Sequence, residues 1–495
     1  MLTIGLGLTL MPVLFRHLPR NELGVWLLFG QTWAALGIFD LGFGVILTRR
    51  IAFACGPSHG PAQSVSGPRR EVLDLVATGH RIYLVLAFFA FAISFGAGWF
   101  YLQTLAASRQ HLTEFWITWG VLCLGRACAI WTTASTCLLQ GLGYVGWDTL
   151  IASLLNAVAL ILQIGAVLLG FRMITLGAIV AVGALSQRVV VLMFLRKRKL
   201  ALLAGAGRWR SDLFRDMLPT ALRVWLTTVG GLLVANSDPF FIASSQGASA
   251  IPAYRAAFVM IINLYLISGV FSAASPVFVS QLWQKDDLTQ IRRILRQNAR
   301  IGLWSMACGA GAILSLGSTL FQTWLGPGNF IGYPVLILFL VTFGLEHHAN
   351  VFSTCARATG DEAYGVSSLL TGLLKVLLAW LLTRRFGLPG LAASTLLAQA
   401  ILNDWFMVYR SVVRLNVNFS EHVLKVLVPC AGLFIAALCA GLLIEIAFPE
   451  LKPGIRVLLV SSLASLLLAF SFWSMALEKS ERSWLLRRTG LAWFA

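Results

Sequence analysis

Apolar runs of about 20 residues alternate along this chain with short polar gaps, the length a helix rising 1.5 Å per residue needs to cross a hydrocarbon core about 30 Å thick. Cut at polar gaps, Pro/Gly turns and charge clusters, the sequence predicts about fourteen spans. They run approximately 1–16, 23–47, 81–103, 114–139, 149–170, 174–195, 217–244, 252–280, 300–324, 331–356, 364–383, 389–410, 424–448 and 454–477. The first span is short, which a misassigned start would explain. The N-terminus has no basic n-region or small-residue cleavage site, so it reads as a span and not as a signal peptide. The expected class is an all-α, polytopic membrane protein.

Composition strengthens this reading. Of 495 residues, 58% are hydrophobic and 12% charged, and the mean hydropathy is +0.81. A soluble domain carries roughly 25% charged residues, so no stretch has the polarity to coat one. The net charge of +18 would suggest nucleic acid in a soluble protein. Here the basic residues cluster in gaps, as retention of Lys and Arg on the cytoplasmic side demands. One set of gaps holds the clusters at 196–199, 285–300 and 479–488. The opposite set holds only Arg16, Arg20, Arg109, Arg172, Arg384, Arg385 and Lys452. This asymmetry puts both termini in the cytoplasm, with Arg384–Arg385 as the local violation. The gap 48–80 contains a Gly/Pro/Ser-rich stretch expected to be flexible. The gap 281–299 has apolar and basic residues at helical spacing. It reads either as an amphipathic helix along the inner membrane surface or as a solvated connector.

The eight cysteines lie mostly in apolar runs and form no C-x-x-C pair. They suggest neither a metal site nor a disulfide framework, and no cofactor is expected. The P-loop, H-E-x-x-H and G-x-S-x-G motifs are absent. The G-x-G triplets at Gly5, Gly42 and Gly141 complete no dinucleotide-binding fingerprint. The chain does not read as an enzyme.

Residues 146–178, from GWDTLIASLLNAV to ITLGA, resemble 365–391, from GVSSLLTGLLKVL to LPGL. Aligning Gly146 with Gly365 puts Asn156 opposite Lys375 and, after a shortening, Gly177 opposite Gly390. Preceding them, STCLLQG at 135–141 stands against STCARATG at 353–360. Both copies have the same orientation, and parallel repeats with the substrate site between the halves are a known transporter plan.

Charges inside spans are costly and therefore functional candidates. The basic ones are Arg126, Arg188, Arg223, Arg255 and Lys375; the acidic ones are Asp40, Asp238, Glu346, Asp404 and Glu445. Glu445 and Arg255 lie near span ends and can snorkel, as can Arg188. Arg126 and Lys375 stand near mid-span, about 15 Å from either end. Each needs a carboxylate, for example Asp40 or Glu346, or a water-filled cavity that would attract an anionic head group. Arg223 stands inside the seventh span, where it could meet a phosphate or mark the interface. Arg49 and Arg50 close the second span. Glu346-His347-His348 is the densest titratable cluster in any span and could carry a proton; a polar lining without coupling is the plainer reading. Asp40, within GIFDLGFG, is expected to hydrogen-bond a neighbouring span.

The segment LGVWLLFGQTWAALGIFDLGFGVILTRR at 23–50 resembles the second span of polysaccharide-export flippases. These include the O-antigen flippases of the multidrug/oligosaccharidyl-lipid/polysaccharide superfamily. LLQGLGYVGW at 138–147 and GGLLVANSDPFFIA at 230–243, followed by Tyr254-Arg255, are similar too. The resemblance implies two six-helix lobes in pseudo-twofold arrangement, forming a V around a central cavity, plus two C-terminal helices. On the chain these would be 1–200, 201–415 and 416–495. It implies alternating access in a bacterial inner membrane, moving an isoprenoid-pyrophosphate-linked oligosaccharide outward. Implied partners are that lipid-linked substrate, membrane lipids, and a polysaccharide polymerase and glycosyltransferases. Arg126, Lys375 and Arg223, with Arg49 and Arg50 at the entrance, would bind the substrate. Asp40, Glu346, His347 and Asp404 would pair with these cations or carry the coupling ion. A cation-coupled multidrug exporter of the same superfamily and a membrane-embedded polysaccharide polymerase or ligase are the alternatives.

Overall fold

A computed structural model describes residues 2–55, 70–105, 112–198, 207–361 and 363–476. The Gly/Pro/Ser-rich stretch and the basic C-terminal tail lie outside these residues. The chain is an all-α polytopic membrane protein. Twelve described helices are long and apolar enough to cross a membrane. Two differences separate this number from the expected spans. Leu2–His17 has 16 residues, short for a bilayer. The run Gly365–Leu415 has 51 residues and turns back on itself at Gly387 (φ 61°, ψ −139°). A Cβ on Gly390 would stand 2.3 Å from the Leu382 carbonyl oxygen, whereas eight residues of straight helix span about 12 Å.

Cα packing divides the chain into two units, Met1–Pro252 with Ser368–Trp380, and Ala253–Ser367 with Leu381–Ala495. In the first, Leu112–Gly141 packs against Met173–Lys197, Arg70–Leu105 and Phe43–Cys55. Its core holds Ile46, Leu47, Ile51, Leu75, Tyr83, Leu138, Val191 and Met217. In the second, Leu288–Leu325 is the central helix, packed by Val428–Ala447, Tyr333–Arg357 and Pro453–Ser471. Its core holds Ile291, Leu295, Trp304, Phe352, Leu415 and Val426. Large apolar side chains such as Leu169, Ile446 and Phe470 are more than two-thirds exposed. Hydrocarbon is the solvent that tolerates such a surface.

The connector at 281–299 is neither a separate surface helix nor a solvated strand of chain. Residues from Leu288 onward are the first turns of the 38-residue Leu288–Leu325 helix. Their apolar face, Ile291, Leu295 and Ala299, is buried in the second unit's core. Asp287 caps the helix, accepting from the Gln290 amide at 3.0 Å. Arg255 also departs from its expected place at the interface, since it is only 8% exposed. Glu445 is held by Arg456 at 2.7 Å, where snorkelling was expected.

Small residues set the closest crossings. A Cβ on Gly230 would fall 2.1 Å from the Ser368 carbonyl oxygen. Gly372 meets Gly230 in return, so segment 368–380 seats directly on Ser211–Asn236. Gly230→Val should cost about 1–3 kcal/mol of stability through overpacking. Gly231→Val, at a position with nothing within 4 Å, should cost little. Thermal unfolding of both variants in detergent checks the contrast.

A second junction lies in the second unit, where Arg410 grips Asp361 through two bonds of 2.7 Å. The guanidinium holds the Asp361 carboxyl below its ordinary value. A carboxyl whose folded pKa is depressed contributes stability above its unfolded value, about 3.9, and loses it as pH falls through the folded one. Asp361→Asn should therefore destabilise by about 0.5–1 kcal/mol at pH 7. The difference from wild type should close as pH falls toward 3, read from unfolding midpoints at the two pH values.

Candidate functional site

The second expected span does not run straight. Arg20–Ala35 passes into a 3₁₀ turn, Leu36–Asp40, and restarts as Phe43–Cys55. Leu41 and Gly42 between them are left-handed, with φ 49° and 75°. Gly42 is required there twice over. Its φ favours glycine, and a Cβ would stand 2.3 Å from the Ala221 carbonyl oxygen. A break inside hydrocarbon frees backbone groups that need partners. The Trp225 indole N–H donates to the Ile38 carbonyl at 2.8 Å. The Asp40 carboxylate accepts from the Gly44 amide at 3.3 Å and the Tyr83 hydroxyl at 2.6 Å. Asp40 thus places negative charge at the start of Phe43–Cys55, where the helix dipole favours it.

Arg126 sits against this break from the Leu112–Gly141 helix. Its guanidinium carbon lies 5.7 Å from the centroid of the Trp33 ring. Its Nη2 lies 3.2 Å from where a Cβ on Gly37 would stand. Asp40 acts on it electrostatically, yet among the described residues no carboxylate comes within 4.0 Å of it, and its buried Nε has no hydrogen-bond partner. Arg126 is partly exposed. It is a mid-span cation with an aromatic face on one side and unused donors. Arg223 is exposed on Ser211–Asn236, two residues before Trp225, and forms no ion pair among the described residues.

Lys375 has a different environment. It is fully buried, and its ammonium donates to the Asp238 carboxylate and the Ser237 hydroxyl. The intramembrane ion pair exists, with Asp238 as partner where Asp40 or Glu346 was expected. Ser237 marks the junction between Ser211–Asn236 and Asp238–Gln246, so Lys375 pins a second helix break. Of the entrance arginines, Arg50 bonds Asp216 at 2.6 Å, tying Phe43–Cys55 to Ser211–Asn236. Arg49 is exposed.

The second unit gathers the acidic and imidazole groups. Asp404 is 7% exposed, and both its oxygens lack a hydrogen-bond partner among the described residues. It follows a π-helical turn, Gln399–Asn403, a geometry frequent at functional positions. Glu346 is its electrostatic neighbour, and Tyr265 feels both. His347 is fully buried edge-on to Tyr265, centroids 5.4 Å apart. His348 turns elsewhere, its Nε2 lying 3.0 Å from Nε2 of His422. Sequence reasoning missed Tyr83, Trp225 and His422. The first two carry no charge, and His422 precedes the span expected at 424.

Neither a protein-family model nor a curated protein matches this sequence. Solved structures do match in fold. The lipid II flippase MurJ, in an inward closed conformation, has a TM-score of 0.67 at 14% identity, over 95% of this chain and 97% of that one. An inward-facing multidrug resistance MATE family transporter of the MOP superfamily has a TM-score of 0.63 at 13% identity, over 84% of this chain and 96% of that one. A MOP superfamily transporter from Pyrococcus furiosus has a TM-score of 0.58 at 15% identity, over 84% and 94%. The chain therefore has the fold of these transporters.

Removing one partner of a buried ion pair strands the other charge, at about 3–5 kcal/mol. Lys375→Met alone should sharply lower the folded yield. The double variant Lys375→Met/Asp238→Leu should recover much of the loss. Size-exclusion profiles and unfolding midpoints of wild type, single and double variants test this.

Proposed function

We propose that this protein is a transporter that moves an isoprenoid-pyrophosphate-linked oligosaccharide across the membrane by alternating access. The observation that carries the reading is Arg126, a mid-span guanidinium with no carboxylate within 4.0 Å among the described residues. A cation at that depth with no carboxylate in contact is costly unless an anion visits it. A pyrophosphate suits the planar fork of its donors. Arg223, exposed and without an ion pair on the neighbouring helix, is the second contact. Lys375 serves the site indirectly by fixing the break at Ser237. The coverage comparison supports a lipid-linked cargo, because the lipid II flippase accounts for 95% of the chain and the multidrug transporter for 84%. An anion moving outward is favoured by about 2.3 kcal/mol per charge per 100 mV of inside-negative potential.

Asp404 favours a second reading. A buried carboxyl without hydrogen-bond partners among the described residues, beside Glu346, would suit a cationic cargo or a coupling cation. In the flippase reading these two groups take the coupling role.

The test is complementation. Deleting the gene in its host should abolish surface polysaccharide, and wild type should restore it. At matched expression, Arg126→Ala should restore about tenfold less or worse, the cost of charge-assisted hydrogen bonds, with Arg126→Lys intermediate. Unchanged polysaccharide on deletion, with raised sensitivity to cationic drugs, would replace this reading with the exporter.

A further inference from the structure

Segment 207–210, which leads into Ser211–Asn236, is clamped to the Arg70–Leu105 helix. The Arg208 amide donates to the Asp74 carboxylate at 2.9 Å, and the Arg210 amide donates to the Thr78 hydroxyl at 3.1 Å. Asp74 and Thr78 are one turn apart on one face of their helix, and both are buried. A Cβ on Gly207 would collide with the Leu73 carbonyl, so only glycine lets the backbone come this close. The same helix carries Tyr83, which holds Asp40 at the break.

The clamp fixes the entry to a helix that runs along that break. Phe214, one turn beyond Arg210, stacks on Phe43 with ring centroids 5.7 Å apart and tilts against Trp209 at 5.9 Å. Phe43 is buried and is the first residue of the helix that restarts after the break. Farther along, Ala221 meets Gly42 and Trp225 donates to Ile38. Positions 214, 221 and 225 recur at helical spacing, so they form one stripe of Ser211–Asn236. The break lies against this stripe, and Asp74 and Thr78 set the stripe's N-terminal end.

We infer that Asp74 and Thr78 are positioning residues for the break against which Arg126 sits. By clamping 207–210 they hold Phe214 on Phe43, and so keep 36–43 bent. Loosening the clamp is transmitted to the break through the aromatic pair. The inference rests on the transport reading only for the use made of Arg126; the linkage itself needs no cargo.

Hydrogen–deuterium exchange of the full chain in detergent, read by peptide mass spectrometry, tests the linkage. Asp74→Ala should raise exchange about tenfold in 36–44 as well as in 207–214, the worth of a hydrogen bond to a charged group. Leu288–Leu325 should stay at the wild-type rate. Asp74→Asn keeps an oxygen for the Arg208 amide and should remain near wild type. If it matches Asp74→Ala, charge and not position holds the break, and the assignment fails. Should Asp74→Ala fold poorly, Phe214→Leu cuts the aromatic pair while leaving the clamp, and should raise exchange in 36–44. A rise confined to 207–214, a rise spread evenly over the chain, or an unchanged 36–44 in Phe214→Leu overturns the linkage. Affinity of the same proteins for a short isoprenoid pyrophosphate tests the cargo separately. Coupled exchange in a wild type that does not bind the pyrophosphate retains the linkage and rejects the transport reading.

Discussion

A helix interrupted inside hydrocarbon has no water to satisfy the backbone groups it releases. The first unit is built around one such interruption, at 36–42. Trp225 reaches from Ser211–Asn236 to take the Ile38 carbonyl, and Tyr83 reaches from Arg70–Leu105 to hold Asp40. Asp40 in turn begins the next helix. Three helices are thus committed to one break, and Arg126 is the cation placed against it. Straightening the span would leave Trp225 and Tyr83 without these partners, and in the bent form a side chain at position 42 would meet the Ala221 carbonyl oxygen.

The charged residues in and beside the spans fall into two groups with different consequences. Lys375 with Asp238, Arg50 with Asp216, Arg410 with Asp361 and Arg456 with Glu445 are pairs that hold elements together. Their geometry accounts for their presence. Among the described residues, Arg126 and Arg223 have no such partner and Asp404 has no hydrogen-bond partner. Groups of this kind lower stability unless something else is gained. That asymmetry, more than the number of charges, separates architecture from candidate function.

The spans were readable because a bilayer imposes one length and one polarity on every crossing. The reversal at Gly387 was equally readable, since Gly387, Pro389 and Gly390 interrupt the apolar run. The break at 36–42 was not, because Gly37, Asp40 and Gly42 read as a packing and hydrogen-bonding patch within an apolar run, and the supports Tyr83 and Trp225 lie far away in sequence. The charges were visible, but the partner of Lys375 was not, because the chain separates Asp238 from it by more than four helices' length of residues. The connector at 281–299 was misjudged for a related reason. Its amphipathic pattern was correct, but the apolar stripe faces Leu415 and Val426 of its own unit rather than lipid.

The central claim is that Arg126 meets the phosphate end of the cargo. Binding of a short isoprenoid pyrophosphate to the purified protein, compared with the matching isoprenoid alcohol, measures it most directly. The account predicts that the pyrophosphate binds, that the alcohol binds far more weakly, and that Arg126→Gln lowers pyrophosphate affinity by about tenfold or more with the unfolding midpoint unchanged. Equal binding of the two ligands, or an unaltered affinity in Arg126→Gln, would contradict it.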